Sequence, residues 1–402
     1  ATDGAGSGAV VYEMDDLELA GNLVAASLDI SGDIDVDGTT NLDVVDIDGA
    51  VDMASTLTVA GVLTGASLDI SGDIDVDGTS NLDIIDVDGA ANFAADVTFA
   101  DGADIITASA GTSNVRIGVN AGNSIASGGN YNVVVGDEAG TAITTGDNNV
   151  AVGYAALDLE DTGTSNTAVG YNSLTTLNYD GAGHNTAVGT STGGAITTGR
   201  FNSFIGSLAG FTETGGSYST GVGYGTLYTQ NVNGDAHNTA VGYTAGVAIT
   251  TGIRNVLLGS AAGDALTDAD FNIAVGSKAL GADTLGSASV AIGHGALEVQ
   301  NFTTATNAYN VAVGHNAGVA VTTAIQNTLI GAVAGDALTQ GARNTALGYL
   351  SLSSDTLGQY AVALGYSALA SQNFTTATNN YNIGIGYNAG AAVTTGVQNT
   401  LI

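Results

Sequence analysis

Three residue types are missing from this sequence, and basic residues are scarce. The 402 residues include no Cys, no Pro and no Trp, and only 5 Lys and Arg stand against 39 Asp and Glu. Without Cys there is neither a disulfide nor a Cys-ligated metal site. Nucleic-acid binding is disfavoured, because phosphate contacts need clusters of Lys and Arg. An anionic membrane surface would repel a chain of net charge −34.

Long apolar runs are also missing, so no segment reaches the eighteen or so apolar residues that span a bilayer. Hydrophobic residues nevertheless make up 44% of the chain, whereas disordered chains are poor in them. The lack of Pro suits a chain made mostly of strands, because Pro cannot donate a ladder hydrogen bond. With 60 Gly in addition, the composition predicts a folded, all-β, strongly acidic protein.

A short unit recurs from about residue 110. It consists of an Asn, three residues of which the outer two are apolar or Thr, and a closing Gly, as in Asn149–Gly153 and Asn255–Gly259. Most closing glycines follow one another in 17-residue steps, and the other steps are slightly longer. Each turn is too short to bury a core alone, so the unit predicts a solenoid of stacked turns. The unit breaks off at Ile402, and we expect the natural chain to continue.

Each position of the unit carries an expectation. The apolar or Thr residues at its second and fourth positions predict a strand that turns the face of these residues inward. The Gly suits a positive φ, and stacked Asn side chains can form a hydrogen-bonded ladder. The predicted ladder residues include Asn132, Asn149, Asn166, Asn238, Asn255 and Asn310, with the glycines Gly136, Gly153, Gly170, Gly242, Gly259 and Gly314.

Longer turns recur at a fixed phase. Two 53-residue segments (136–189 and 189–242) precede two 72-residue segments (242–314 and 314–386), and the extra residues always enter just before an Asn. All insertions should therefore bulge from one edge of the solenoid. They are either plain long turns or a row of contact loops. The protruding residues would be Asn301 and Phe302, and one unit later Asn373 and Phe374.

The N-terminal quarter carries a different repeat, in which Ser27–Gly38 returns unchanged as Ser67–Gly78. Strands this short need several intertwined chains. We therefore expect an acidic segment at 1–24, a trimeric β shaft at 25–107 and the solenoid at 108–402. Residues 1–110 hold 23 of the 39 acidic groups and none of the basic ones. Their mutual repulsion fades in salt, which favours a saline habitat and predicts a shaft whose melting temperature rises with salt.

The acidic repeat contains the one metal-site candidate. Its carboxylates resemble the start of a calcium-binding loop, but the Glu expected at the twelfth position is replaced by Val44 and Ile84. The pattern is compatible with a solvated acidic strand face or with a stabilising Ca²⁺ held between chains. The candidate ligands are Asp33, Asp35 and Asp37, and their copies Asp73, Asp75 and Asp77.

Aromatic residues recur in two series. One follows the closing Gly and comprises Tyr154, Tyr171, Tyr224, Tyr243, His294, His315, Tyr349, Tyr366 and Tyr387. The other precedes the Asn and comprises Tyr131, His184, Phe201, Tyr218, His237, Phe271, Tyr309, Tyr360 and Tyr381. Both are compatible with stacked packing ladders or with a glycan-binding surface. No nucleophile or metalloenzyme motif accompanies them, so we expect no enzymatic activity.

The unit Ser289-Val290-Ala291-Ile292-Gly293, and its relaxed form Asn166-Thr167-Ala168-Val169-Gly170, resemble the head repeat of trimeric autotransporter adhesins. Similar repeats occur in tail fibres of phages, marine ones included. The resemblance covers residues 110–402 and implies a left-handed parallel β-roll with three chains side by side. The turn here is longer than that family's usual one, and its neck and membrane anchor are absent.

These observations lead to one functional expectation with two alternatives. The expectation is an extracellular phage or virus tail fibre, a homotrimer that attaches to a host glycan or protein receptor and joins a tail adaptor through its N-terminus. The first alternative is a bacterial surface adhesin of the autotransporter type. The second is a self-assembling extracellular filament without a receptor. Many repeated weak contacts would give any such fibre its avidity.

Overall fold

The computed structural model describes residues 110–402 continuously, together with scattered positions before them (22, 24, 27, 56, 58–62 and 91). The chain divides into two units, Ala1–Ala95 and Asp96–Ile402. All strands of the described residues belong to the second unit. The predicted shaft therefore lies almost wholly outside the described residues.

Residues 110–402 form a parallel β-solenoid that contains no helix, which confirms the predicted all-β, stacked-turn architecture. Each turn contributes one short strand, which pairs in parallel with the strands of the turns before and after it. Seventeen strands build this sheet. They are β1 (Val115–Ile117), β2 (Val133–Val135), β3 (Val150–Val152), β4 (Thr167–Val169), β5 (Thr186–Val188), β6 (Ser203–Ile205), β7 (Thr220–Val222), β8 (Thr239–Val241), β9 (Val256–Leu258), β10 (Ile273–Val275), β12 (Val290–Ile292), β14 (Val311–Val313), β15 (Thr328–Ile330), β16 (Thr345–Leu347), β18 (Val362–Leu364), β20 (Ile383–Ile385) and β21 (Thr400–Leu401).

The longer turns add pairings of their own at one corner. In the two 72-residue units these are β11 (Gly286–Ser287) with β13 (Thr306–Asn307), and β17 (Gly358–Gln359) with β19 (Thr378–Asn379). In the two 53-residue segments, single bridges take their place, Thr164 with Ala182 and Ser217 with Asp235. The insertions are therefore ordered against the preceding turn.

The inward side of each strand is formed by its middle residue. In β2, Val134 is fully buried, whereas Val133 and Val135 are only partly buried. The prediction that the second and fourth positions of the unit turn inward is therefore wrong. Residues two apart share a strand face, and the buried Asn132 shares the inward face with Val134, so the apolar second and fourth residues face outward.

Large and small side chains share the core space between neighbouring turns. The two δ-methyl groups of Leu257 lie over Gly246 and Gly263, where an added Cβ would come within 2.7 and 2.8 Å of them. On the next turn the middle residue is Ala274, and the place of Gly263 is taken by Leu280; both are fully buried. Core volume is thus exchanged between two columns of residues, with a large side chain in one column where the other is small.

The closing glycines bring the backbones of successive turns into direct contact. Their φ angles lie between 126° and 141°, which L side chains rarely adopt. A Cβ on Gly259 would also lie 2.6 Å from the carbonyl carbon and oxygen of Gly276. Both the backbone angle and the contact therefore require Gly at this corner.

Candidate functional site

A ladder of buried Asn side chains ties the turns together. The Oδ1 atom of Asn238 accepts the backbone N–H of Asn255 at 2.9 Å, and Asn255 accepts that of Asn272 at 2.9 Å. The Nδ2 group of Asn255 donates to the carbonyl of Ala269 at 2.8 Å. The predicted members Asn132, Asn149, Asn166, Asn238, Asn255 and Asn310 are all fully buried. Buried polar groups with partners on neighbouring turns fix the register of the stack.

The ladder changes before three of the long turns, where Ser219, Ser289 or Ala361 stands in place of the Asn. At Ser289, the Oγ atom accepts a hydrogen bond from Gln300 at 3.2 Å, and Gln300 also donates to Asp283 at 2.6 Å. The Oε1 atom of Gln300 in turn accepts from Asn310 at 2.8 Å, which restores the ladder. Equivalent buried acid–glutamine pairs are Glu213 with Gln230 and Asp355 with Gln372.

The acid of each pair holds the beginning of the inserted loop. The Oδ1 atom of Asp283 accepts the backbone N–H groups of Gly286 and Phe302, both at 3.0 Å. Burial raises the pKa of Asp283, although the hydrogen bond from Gln300 lowers it in part. Burial likewise raises the pKa of Glu160, which accepts the N–H of Gly163 at 2.8 Å before the first long turn. These carboxylates are structural, because their oxygens are engaged by the loop itself.

The loop residues proposed as protruding contacts divide into two kinds. Phe302 and Phe374 are only 6% and 5% exposed, so the expectation that they protrude is wrong. Their backbone N–H groups donate hydrogen bonds to the buried carboxylates of Asp283 and Asp355. Asn301 and Asn373 are exposed, and each receives a hydrogen bond from a Thr of the preceding turn.

The first aromatic series forms stacked groups along the sheet. All nine predicted members take part, with ring centroids 5.3–5.6 Å apart. The groups are Tyr154 with Tyr171, Tyr224 with Tyr243, His294 with His315, and Tyr349 with Tyr366 and Tyr387. The carboxylate of Glu138 raises the pKa of the Tyr154 phenol. A stacked ring covers one face of each ring in a pair and both faces of Tyr366 in the group of three.

Part of the second aromatic series is stacked as well, on residues with left-handed backbone angles: His184, Phe201, Tyr218 and His237 in one group, and Tyr360 with Tyr381 in another. His184, Phe201, Tyr218 and His237 stack on four consecutive turns, with centroids 5.0–5.3 Å apart and φ between 49° and 62°. Such angles cost bulky residues roughly 1–2 kcal/mol each. Elsewhere in this column, guanidinium groups cover rings, as Arg254 does at 5.5 Å from Phe271. Ring stacking along the axis offsets this strain.

The outward face of the long sheet is apolar on every turn. The fourth position of the unit is Val, Ile or Leu throughout, and the second is Val, Ile, Thr or Ser. No ionisable side chain occupies either column in the described residues. Several members are well exposed, such as Ile117 at 54% and Leu347 at 46%. With sixteen steps of about 4.8 Å, this apolar face extends for roughly 75–80 Å.

The predicted Ca²⁺ ligands Asp33, Asp35, Asp37, Asp73, Asp75 and Asp77 lie outside the described residues. Within residues 110–402, no group of three or more His, Asp or Glu side chains is arranged to hold a metal ion. Those residues also include no helix of the length and apolarity needed to cross a membrane.

No family model, no curated protein and no solved structure matches this chain. A functional proposal therefore rests on the chemistry of the surface.

Sequence reasoning missed the acid–glutamine pairs, although a signal for them exists. Asp283 lies one turn before Gln300, and Asp355 lies one turn before Gln372. Apart from such acids and glutamines, their column holds Ile, Leu or Val. A polar residue in this apolar column, one turn before an insertion, therefore predicts that the inserted loop bonds to that residue.

Proposed function

We propose that the chain is part of a homotrimeric fibre, of the phage tail-fibre kind, that carries an attachment surface to a host cell. The observation that carries this proposal is the apolar outward face of the sheet, which continues over every described turn without an ionisable side chain. Exposed apolar patches of this extent mark sites of protein association. A stack of equivalent turns offers the same face at each step, as side-by-side chains require.

The charge distribution supports association through this face. The 16 acidic residues of the solenoid all lie outside the second and fourth columns of the unit. Copies that meet through these columns keep their carboxylates apart, so the mutual repulsion of strongly acidic chains is reduced. The resemblance of the repeats to trimeric adhesin heads and phage fibres supports three copies and an extracellular setting.

The role we propose is structural, and host attachment would come from repeated weak contacts along the fibre. Three copies of seventeen strands multiply any single binding site, which raises avidity without a strong individual contact. The buried carboxylates Asp283, Asp355 and Glu213 are occupied by glutamine and backbone donors. They are therefore part of the scaffold, in agreement with a fibre.

Sedimentation equilibrium at physiological salt tests the assembly. We expect a particle of three times the 39.3 kDa chain mass. Replacing Leu347 by Glu adds a charge to the outward face and should dissociate the particle. The control variant Ser353→Glu adds the same charge in the column that already holds Glu298, and should leave the mass unchanged. A monomeric parent chain would contradict the proposal.

Electron microscopy of the native material tests the biological role. A labelled antibody against residues 110–402 should decorate threefold fibres that project from virions. Label on cell envelopes would instead indicate the surface adhesin, and label along long free filaments would indicate the self-assembling filament.

A further inference from the structure

Three pockets lie on the same edge of the solenoid, just after the corner made by the closing glycines. Their lining residues occupy the same places in the turn, mainly two and five residues after the Gly. Their volumes are about 280, 250 and 260 Å³ in chain order. Because stacked turns are in register, these pockets are widened parts of one edge of the stack, and they differ only in chemistry.

A stacked ring pair separates the first two pockets. Phe211 and Tyr228 have ring centroids 5.3 Å apart and planes inclined by 14°. Phe211 lines the first pocket and Tyr228 the second. On the turn below Phe211 the same column holds Gly194, where an added Cβ would come within 3.3 Å of the ring. Because Gly194 has no side chain, no ring stacks on this side of Phe211, and Phe211 lines the pocket here.

Uncharged polar side chains line the first pocket beside the Phe211 ring. Its lining includes Asn172, Thr175 and Ser191, and no hydrogen bond among the described residues uses their side-chain amide or hydroxyl groups. A further hydroxyl, that of Thr176, is already taken, because it donates to the carbonyls of Gly194 and Ile196, both at 2.9 Å. An aromatic ring in a pocket wall beside three unused polar groups is an arrangement that orients a small polar ligand.

The third pocket has nearly the same size but a different lining. It contains Asp264, Lys278 and Glu298, and the Lys278 ammonium lies 3.3 Å from the Glu298 carboxylate. The first two pockets contain no Asp, Glu, Lys, Arg or His. The same edge therefore offers an uncharged site and a charged site, separated by a few turns.

We propose that the first two pockets, on either side of the Phe211–Tyr228 pair, bind a neutral glycan. A sugar ring has an apolar C–H face that fits an aromatic face, and hydroxyl groups that fit Asn, Ser and Thr. The high negative charge of the chain disfavours acidic glycans. The pockets are centred about two turns apart, or about 10 Å, so two sugar units of one glycan can occupy them. This inference rests on the proposed attachment function and identifies its ligand class.

Affinity electrophoresis in gels that contain mannan, laminarin, xylan or galactan, with alginate as the acidic comparison, tests the inference. We expect at least one neutral polysaccharide to retard the parent chain, and alginate not to do so. Phe211→Leu removes the ring face but keeps apolar volume, and should weaken retardation about tenfold. Thr175→Asp should also weaken it, and Asp158 shows that this column accepts a carboxylate on the turn below.

Control variants separate binding from folding. Glu298→Gln alters the charged pocket and Tyr349→Leu removes a stacked ring several turns away from the first two pockets, so both should be retarded like the parent. Phe211→Leu should keep the parent's circular dichroism spectrum. Lack of retardation by every neutral polysaccharide, or equal retardation of Phe211→Leu and the parent, would overturn the inference. Fibres that still attach to cells in that case leave the proposed function standing, whereas glycan binding by a chain absent from fibres refutes the function alone.

Discussion

At the scale of single residues, the closing glycine is the position with the least freedom. Its backbone angle and its contact with the next turn act together, and the chain offers a way to separate them. Gly259 and the loop glycine Gly234 both have positive φ angles, of 140° and 120°. A Cβ on Gly259 meets the Gly276 backbone at 2.6 Å, whereas a Cβ on Gly234 meets nothing within 4 Å.

Replacing Gly259 by Ala should destabilise the solenoid more than the same change at Gly234. Both variants carry the unfavourable backbone angle, which costs about 1–3 kcal/mol, but only Gly259→Ala forces two backbones apart. Thermal unfolding followed by circular dichroism should show a clearly larger fall in melting temperature for Gly259→Ala. Equal falls would mean that the backbone angle alone requires the glycine.

A second residue-scale prediction concerns Asp336, whose Oδ1 atom is buried without a hydrogen-bond partner in the described residues. Burial raises the pKa of Asp336. The folded state therefore binds the proton more tightly than the unfolded state, and this group favours folding more as pH falls from neutral through its raised pKa. Replacing it by Val, the residue that Val319 places in the same column one turn earlier, should raise the melting temperature at pH 7.

The gain from Asp336→Val should shrink as the pH approaches the ordinary Asp value of about 3.9, where the parent carboxyl becomes protonated. Asp264 is the matched control, because it holds the same place one long unit earlier; burial raises its pKa as well, but Lys278 lowers that pKa in part. Asp264→Val should therefore give a smaller gain. A gain that does not vary with pH would show that protonation of Asp336 is not its origin.

At the scale of the single turn, the core is specified by pairs of columns. Leu257 fits because Gly246 and Gly263 leave room for its two methyl groups, and Leu280 fits because Ala274 is small. Neither column alone would reveal this, since each varies between small and large residues along the chain. The core also determines where the inserted loops attach. The acid–glutamine pairs replace apolar residues in one buried column, and the loops bond to these pairs.

Exchanging the two volumes of one turn should restore what a single truncation removes. Leu257→Ala leaves a cavity and should lower the free energy of unfolding by about 2–5 kcal/mol. Adding Gly263→Leu recreates the combination that Ala168 and Leu174 already show on another turn, so the double variant should recover most of the loss. Denaturant unfolding measures both. A double variant less stable than Leu257→Ala would contradict the exchange of volume between the columns.

At the scale of the whole molecule, the solenoid has two periods that obey different rules. The 17-residue turn keeps the strands, the Asn ladder and the closing glycines in register. The 72-residue unit additionally keeps the order of large and small core residues and the place of the acid–glutamine pair. A deletion can therefore keep the 17-residue register of the turns and still disrupt the 72-residue order of the core residues.

Deleting 243–314, one complete 72-residue unit, should give a shorter solenoid with the parent's melting temperature, within a few degrees. Deleting 260–276, one 17-residue turn, keeps the register but places Leu280 in the position of Gly263 beside Leu257. This overpacks the core, at a typical cost of about 1–3 kcal/mol. Calorimetry of the two deletions should show the smaller one to be the less stable. The opposite order would mean that the core is filled without regard to the longer period.

Much of this architecture could be predicted from the sequence, because Asn and Gly recur at positions where the fold needs them: the Asn for the buried hydrogen-bond ladder and the Gly for the corner with a positive φ. The spacing of Gly242 and Gly259 defines a turn without any knowledge of its shape. The prediction for the inward side of the strand is wrong, because Val and Ile at the second and fourth positions have the composition of core residues even though they face outward. The prediction for Phe302 is wrong for a related reason: the sequence places it in an inserted loop, but its backbone bonds to the buried Asp283.

The parallel pairing of turns also determines how the solenoid responds to tension along its axis. Backbone hydrogen bonds between successive turns run along that axis, so a pulling force loads the turns in series, and they detach one after another from an end. Each released 17-residue turn lengthens the chain by about 50–55 Å. A fibre built in this way yields in small steps under load and dissipates energy at each step, while the remaining turns stay intact.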